Sequence, residues 1–481
     1  MPSIAGAAAA CGLLRCREGC LSPWFRGGER DALRGRGLFP AGDDRHQDPS
    51  AGGSAIPAHG AAAVSGNGAD FAFFGPNPGP LTHPITKRTK RMKSINTTLN
   101  NVAIDVSWFQ RQNTAELHLA ARACEPKRFD RELEEVFAAM ALFFEQEGIP
   151  FTTAVFLRLF VSDFMNQEDS LGAFAQNGMN KFSRAACSVV EQPPLTGNKV
   201  LVWLYAIVDH GAKGLSVDRR EGQIVVKREG MAHIWSTGMR AKEPGWDSHA
   251  QTSAVFAQLE RRLRDLNCTV QDNCVRTWLF VKDIDFNYPG VVRSRRDLFE
   301  TLGMTKDTHY IASTGIEGRH ADPGTSVLMD AYAIAGLAGN QVRYLQALQH
   351  LNPTHEYGVT FERGTSVDFG DRRHIYISGT ASINNRGEIV HKNNVRRQME
   401  RVIENIAALL ADAGATLADI AHMIVYLRDL SDAPDVERYF AEHFRETPKA
   451  VVLAPVCRPG WLVEIECIAV MAIDRTDVCR F

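Results

Sequence analysis

The 481-residue sequence has little that would commit it to a membrane, a metal or a phosphate. No stretch approaches the ~18 consecutive apolar residues of a spanning helix. The ten cysteines are scattered, with no CxxC pair and no His/Cys cluster at zinc spacing, so no metal site is indicated. Thiols dispersed in this way through a large chain fit a reducing, cytoplasmic setting. Neither GxxxxGK[ST] nor GxGxxG in a βαβ context occurs, and no cofactor is expected. With 54 Lys+Arg against 56 Asp+Glu, the chain lacks the basic surplus that a nucleic-acid partner would require.

Residues 1–91 lack sustained periodicity. Gly, Ala, Pro and Arg dominate, and segments such as GAAAACGLL bury too little apolar surface to fold alone. No basic region precedes SIAGAAAACGLL, as a secretory signal would require, and Glu29, Asp31, Asp43 and Asp44 argue against a transit peptide. This stretch reads as a disordered extension or a mis-assigned start, with globular sequence opening at Met92.

What is present from Met92 onward is a pattern that recurs three times. A helical stretch runs into an apolar strand ending in Asp: 132–148 into Asp163, 249–267 into Asp283, and 395–414 into Asp429. The helices carry apolar residues at helical spacing, such as Val402, Ile406, Leu409 and Leu410. Gly148 and Gly414 stand where helix C-caps belong. Each copy opens with a strand (from Ala115, Ala232 and His374) and closes with another (199–207, 326–334 and 461–470). The expected fold is α+β: three tandem units, 92–212, 213–350 and 351–475, each a mixed sheet with two helices on one face.

The third closing strand carries the chemistry. In VVLAPVCRPGWLVEIECIAV, Glu464 and Glu466 alternate with Val463 and Ile465, so both carboxylates share one sheet face. Aligning the closing strands by eye sets Glu464 against Trp203 and Met329, and Glu466 against Tyr205 and Ala331. On that register only the third unit holds paired acids.

The stretch HIYISGTASINNRGEIV, the following helix, MIVYLRD and AVVLAPVCRPGWLVEIE together resemble the reactive-intermediate deaminase superfamily, also called Rid, YjgF-type or endoribonuclease L-PSP. The match covers about 363–473. WLFVKDIDFNYPGVVRSRRDLFETLGMTKDTHYIASTGIEG, with His391 and Gln398 later, extends the resemblance to the chorismatase branch over about 227–473. The first unit lies beyond that span. The resemblance implies three units around a central barrel with sites in the clefts between them, either within one chain as a pseudo-trimer or as a homotrimer.

Chorismatases remove pyruvate from an enolpyruvyl ether, which needs a carboxylic acid that is still protonated near neutral pH. Burial and a second carboxylate both raise a Glu pKa. Glu464 is therefore the expected acid, with Glu466 beside it. A small carboxylate substrate calls for guanidinium groups, whose fork engages a carboxylate through two hydrogen bonds. Arg458 is the first choice and Arg428 the second. The resemblance makes Cys457 a selector of product; a free Cys is otherwise a small apolar filler. His391, Ser378 and Gly379 in the third unit, and Tyr310, Ser313, Thr314 and Gly315 in the second, are candidates for lining the cleft. Two other readings stand beside this one: hydrolysis of a 2-imino acid or enamine, and ligand binding without catalysis.

Overall fold

A computed structural model describes residues 92–177, 180–211, 214–243 and 245–479. The expectations for 1–91 fall outside these residues.

The first unit contains β1 (Lys93–Leu99), β2 (Val102–Arg111), β3 (Thr114–Ala123), α1 (Phe129–Gln146), β4 (Ala154–Val161), α2 (Phe164–Gln176), β5 (Ala186–Glu191) and β6 (Val200–Asp209). In the second come β7 (Ser216–Arg220), β8 (Gln223–Arg228), β9 (Met231–Arg240), α3 (Ser248–Arg264), the one-turn α4 (Val270–Asn273), β10 (Cys274–Val281), α5 (Ile284–Thr301), β11 (Ala312–Glu317) and β12 (Val327–Ala335). The third holds β13 (Val342–Tyr344), β14 (Gly364–Asp368), β15 (Arg372–Ala381), α6 (Val395–Asp412), β16 (Ile420–Leu427), α7 (Ala433–His443), β17 (Lys449–Leu453) and β18 (Val463–Ala472).

The three sheets share one topology: β1-β2-β3-β6-β4-β5, β13-β14-β15-β18-β16-β17, and β7 to β12 in the matching order. Each sheet is mixed, with a single parallel pair at one edge (β4/β5, β10/β11 and β16/β17). The α+β class and the threefold repeat therefore hold. The edge strands were not legible because most are short: β7, β13 and β17 have three to five residues. THYIASTGIEG supplies the parallel edge strand β11 of the second unit, which 326–334 closes as β12.

Local chemistry explains the boundaries. The strand-ending Asp163 and Asp429 cap the turns that follow, accepting from the backbone N–H of Asn166 and Ser431. Gly148 and Gly414 follow α1 and α6 at φ of 66° and 77°, which only glycine adopts cheaply.

The helices cover the outer face of each sheet, and the inner faces meet around a shared core. Trp203 of the first unit, and Trp235 and Trp278 of the second, are almost wholly buried there. They pack with Phe156, Tyr332 and the third unit's His422, whose ring stacks on Trp203 at 4.3 Å. Each buried indole contributes roughly 4–6 kcal/mol of hydrophobic stabilisation before entropy. Within this chain, the three units thus form a pseudo-trimer.

The barrel axis is polar. Glu116, His233 and His374 hold equivalent positions on β3, β9 and β15, by their pairing with β6, β12 and β18. Glu116 accepts from Arg372 Nη1 at 2.6 Å and lies 2.8 Å from His374 Nε2. Burial opposes its ionisation, but His374 and Arg372 hold the carboxyl well below the usual range.

Pairing through the neighbouring strands corrects the register read by eye. Tyr426 faces Glu464, and at the matching positions Phe160 faces Leu201 and Phe280 faces Leu328. Glu464 thus corresponds to Leu201 and Leu328, and Glu466 to Trp203 and Asp330. An alignment of closing strands alone misses this because their starts differ by one or two residues. The second unit keeps one acid at the Glu466 position; the acid at the Glu464 position is confined to the third unit.

Candidate active site

Between the second and third units lies a narrow cleft, with about 470 Å³ of space between the atoms when its open mouth is included. The second unit contributes Tyr288 and Arg295 from α5, and Ser313, Thr314 and Gly315 from β11. Arg363, Gly379, Cys457, Arg458 and Glu464 are among the residues from the third. Edge strand β11 runs beside β15, and Gly379 N–H donates to Thr314 Oγ1 at 2.9 Å across the boundary.

Two glycines make the room. A Cβ on Gly379 would lie 2.0 Å from Glu464 Oε1, and one on Gly315 would lie 2.8 Å from Tyr288 Cε2. The positions equivalent to Gly315 in the other units are Val189 and Val451, by pairing with Leu159, Leu279 and Val425.

Glu464 is 4% exposed. Burial, and then the nearby Glu466 carboxylate, push its pKa up to about 8, against the pull of Arg276 and Arg363. It is a neutral acid at pH 7. Glu466 sits on the same strand face but outside the cleft lining. Both its oxygens are occupied: Oε2 accepts from Arg276 Nη2 at 2.7 Å and Oε1 from Trp278 Nε1 at 2.6 Å.

Opposite the acid stand guanidiniums. Arg363 is anchored by Asn352 O at 2.9 Å and lies 5.2 Å from the Tyr357 ring centre. Arg458 lies 5.3 Å from the same ring and 5.7 Å from that of Trp461. Arg295 is 1% exposed, donates weakly to Ser313 Oγ and Thr360 Oγ1 at 3.3 Å, and leaves Nη2 without a partner. A buried, unpaired guanidinium N–H is costly unless a ligand receives it. Burial lowers the pKa of both Arg295 and Arg363.

Cys457 is half-buried beside Tyr288. Burial, then the Glu464 charge, raise its thiol to about 12. It is no thiolate nucleophile at neutral pH. Its turn is fixed by the buried Gln398, which donates to Gly460 O and accepts from Leu462 N–H, each at 2.9 Å.

Of the residues expected to line the site, Glu464, Cys457, Arg458, Gly379, Ser313, Thr314 and Gly315 converge. Ser378 lies behind the wall, where its hydroxyl accepts from Ser313 N–H at 2.9 Å. Three others fall elsewhere. Arg428 pairs with Asp285 and donates to Val456 O, so its charge is spent at the strand end. Exposed His391 occupies a turn at φ 59° before α6. Tyr310 stacks on Phe299 beneath α5. Arg295 and Arg363 were missed. Arg295 had a signal: it interrupts the buried helical stripe Val291–Arg295–Phe299. Arg363 precedes a short strand with no comparable mark.

A model of the Endoribonuclease L-PSP family matches residues 366–471. A RutC family protein of Pyrococcus abyssi is 41% identical over 98 residues, 20% of this chain and 76% of that protein. The chain belongs to the Rid superfamily. A second Rid relative, a chorismatase of Streptomyces rapamycinicus, is 32% identical over 241 residues, 45% of this chain and 69% of its own length. A chorismatase crystal structure shares the Rid-type fold with a TM-score of 0.50 at 19% identity, covering 66% of this chain and 93% of that one. That share exceeds the second and third units together, so the likeness of fold reaches into the first. Among the described residues of this Rid protein, no helix is long and apolar enough to cross a membrane, and no side-chain group is arranged to hold a metal.

Proposed function

We propose that the chain is a chorismatase-like enzyme, which cleaves the enolpyruvyl ether of chorismate or a related cyclic compound and releases pyruvate. The observation that carries this reading is a buried, neutral Glu464 facing Arg295, Arg363 and Arg458 in one cleft. A carboxylic acid with a pKa near 8 can deliver a proton at neutral pH, and three guanidiniums suit a substrate with two carboxylates.

The chemistry follows from those groups. The guanidiniums hold the carboxylates and orient the enol ether over Glu464. Its carboxyl protonates the methylene carbon, which becomes a methyl group, and the neighbouring carbon becomes an oxocarbenium ion. Water adds to that carbon and gives one proton back to the Glu464 carboxylate, which restores the acid. The hemiketal then collapses: the ether C–O bond breaks, the remaining hydroxyl proton passes to the departing ring oxygen, and the products are pyruvate and a ring alcohol. The Glu464 carboxylate left after transfer stabilises the cation while it lasts.

The test is pyruvate release from chorismate by the wild type and Glu464→Gln. The wild type should turn over, and the variant should lose about 100-fold or more of kcat. Equal release by both would remove Glu464 from the role. No release by the wild type would overturn the reading, and a 2-imino acid generated in situ would then be the next substrate.

A further inference from the structure

One face of β18 carries two carboxyl groups two residues apart, Glu464 in the cleft and Glu466 outside its lining, and nothing in the strand itself says which one carries the proton. The second unit decides it. We propose that Glu466 is a fixed carboxylate, clamped by Arg276 and Trp278 of the second unit, and that its charge keeps the transferable proton on Glu464. This rests on the reading of Glu464 as the acid and makes Glu466 a positioning residue.

The clamp is built for an anion. Glu466 is 4% exposed and each of its oxygens receives one N–H, from Arg276 and from the indole of Trp278. A protonated carboxyl would turn one oxygen into a donor facing a donor. The clamp also reaches the cleft wall, because Arg276 donates through the same Nη2 to Thr314 Oγ1, the atom that receives Gly379 N–H. The pseudo-equivalent boundary shows the alternative. There Asp330 is held by Arg158 at 2.8 Å and by the Gly238 N–H at 3.0 Å, and the neighbouring position is Leu328. An anchored acid is thus shared by these two boundaries, where the first unit has Trp203, and Glu464 is an addition to one of them.

The charged groups acting most strongly on Glu464 are Glu466 on its own strand, Arg276 on β10 and Arg363 before β14, and Arg295 on α5 and Arg458 before β18 line the same cleft. Around it are also Tyr426 on β16, Tyr288 on α5, Tyr357 and Cys457, each with its pKa raised and neutral at pH 7. Glu466 is the sole negative charge among them.

The experiment is a carboxyl titration by NMR on the full chain labelled with 13C at the glutamate side-chain carboxyl, with Glu464→Gln used for assignment. It needs no substrate, so it stands even if chorismate is not turned over. In the wild type the Glu464 signal should titrate near pH 8. In Glu466→Gln its midpoint should fall by at least about one pH unit. Trp278→Phe keeps the ring and removes one donor. In it, the Glu464 midpoint should move from its wild-type position, which covers the case in which Glu466→Gln does not fold. Where the wild type is active, the alkaline limb of kcat should move with the midpoint while KM stays. A Glu464 midpoint unmoved in Glu466→Gln, or a Trp278→Phe titration identical to wild type, would overturn the proposal. Absence of pyruvate release with the shifts intact would count against the chorismatase reading alone.

Discussion

Glu466 and Asp330 hold the same position in consecutive units, and each is bound by an arginine of the unit before it. Arg276 serves Glu466 at 2.7 Å, and Arg158 serves Asp330 at 2.8 Å. The donors are not equivalent: Arg158 corresponds to Trp278, and Arg276 lies two residues earlier on its strand. That offset gives Glu466 both an indole and a guanidinium. Asp330 takes its second donor from the Gly238 backbone N–H at 3.0 Å; that boundary carries leucine at the Glu464 position, and the boundary with the indole and guanidinium carries Glu464.

The pKa of Glu464 predicts a trade of stability for activity. Its folded pKa of about 8 exceeds the ordinary 4.5. Between these values the folded state binds the proton more tightly than the unfolded state, so stability falls as pH rises from 4.5 to about 8 and is flat beyond. At pH 7 the cost is about 3 kcal/mol relative to a group that stays neutral. Glu464→Gln should therefore unfold at higher urea than the wild type at pH 7 to 8, and the gap should vanish near pH 4. A less stable variant at pH 8 would contradict the assignment.

The cleft glycines should be intolerant in different ways. Gly379→Ala drives a methyl group into the Glu464 carboxyl and should reduce kcat by ~100-fold, with a stability loss of about 1–3 kcal/mol. Gly315→Val reproduces what Val189 and Val451 do at the other boundaries. It should fold, and its KM should rise at least about tenfold as the side chain meets Tyr288. Steady-state kinetics separate the two outcomes.

Cys457 should matter for product and not for rate. Its thiol is neutral below about pH 12, so iodoacetamide should modify it slowly at pH 7.5 compared with a free thiol. Cys457→Ala should keep pyruvate release within about tenfold of wild type and change the ratio of hydroxybenzoate to dihydrodiol, read by chromatography. A complete loss of pyruvate would indicate a direct role in the chemistry.

The axial cluster should bear on stability alone. Glu116→Gln removes one of the two carboxylates on Arg372, which keeps Asp371 through Nε and Nη2, and takes the anion away from His374; it should cost about 1–3 kcal/mol at pH 7 by urea unfolding. Because the folded Glu116 pKa is depressed, this stabilisation is full above the unfolded value of about 4.5 and is lost progressively as pH falls below it. The gap between wild type and variant should narrow in acid.

The sequence by itself determined the repeat, the class and the acid-bearing strand. Helical and alternating periodicities are local properties, so α1, α3, α6, β6, β12 and β18 were readable, as were Glu464 and Glu466 on one face and Gly148 and Gly414 at helix ends. Turn residues Cys457 and Arg458, and the small residues of β11, were readable through their resemblance to known motifs. Tertiary structure decided the rest. Which carboxyl is clamped depends on Arg276 and Trp278, nearly 190 residues away in the chain. Arg295 and Arg363 reach the cleft, and Arg428 does not, because packing between units determines which guanidiniums find a carboxylate nearby. The register of the closing strands required the neighbouring strand, since a slip leaves hydrophobic runs looking alike while one residue exchanges the two faces and two residues shift each side chain along its face.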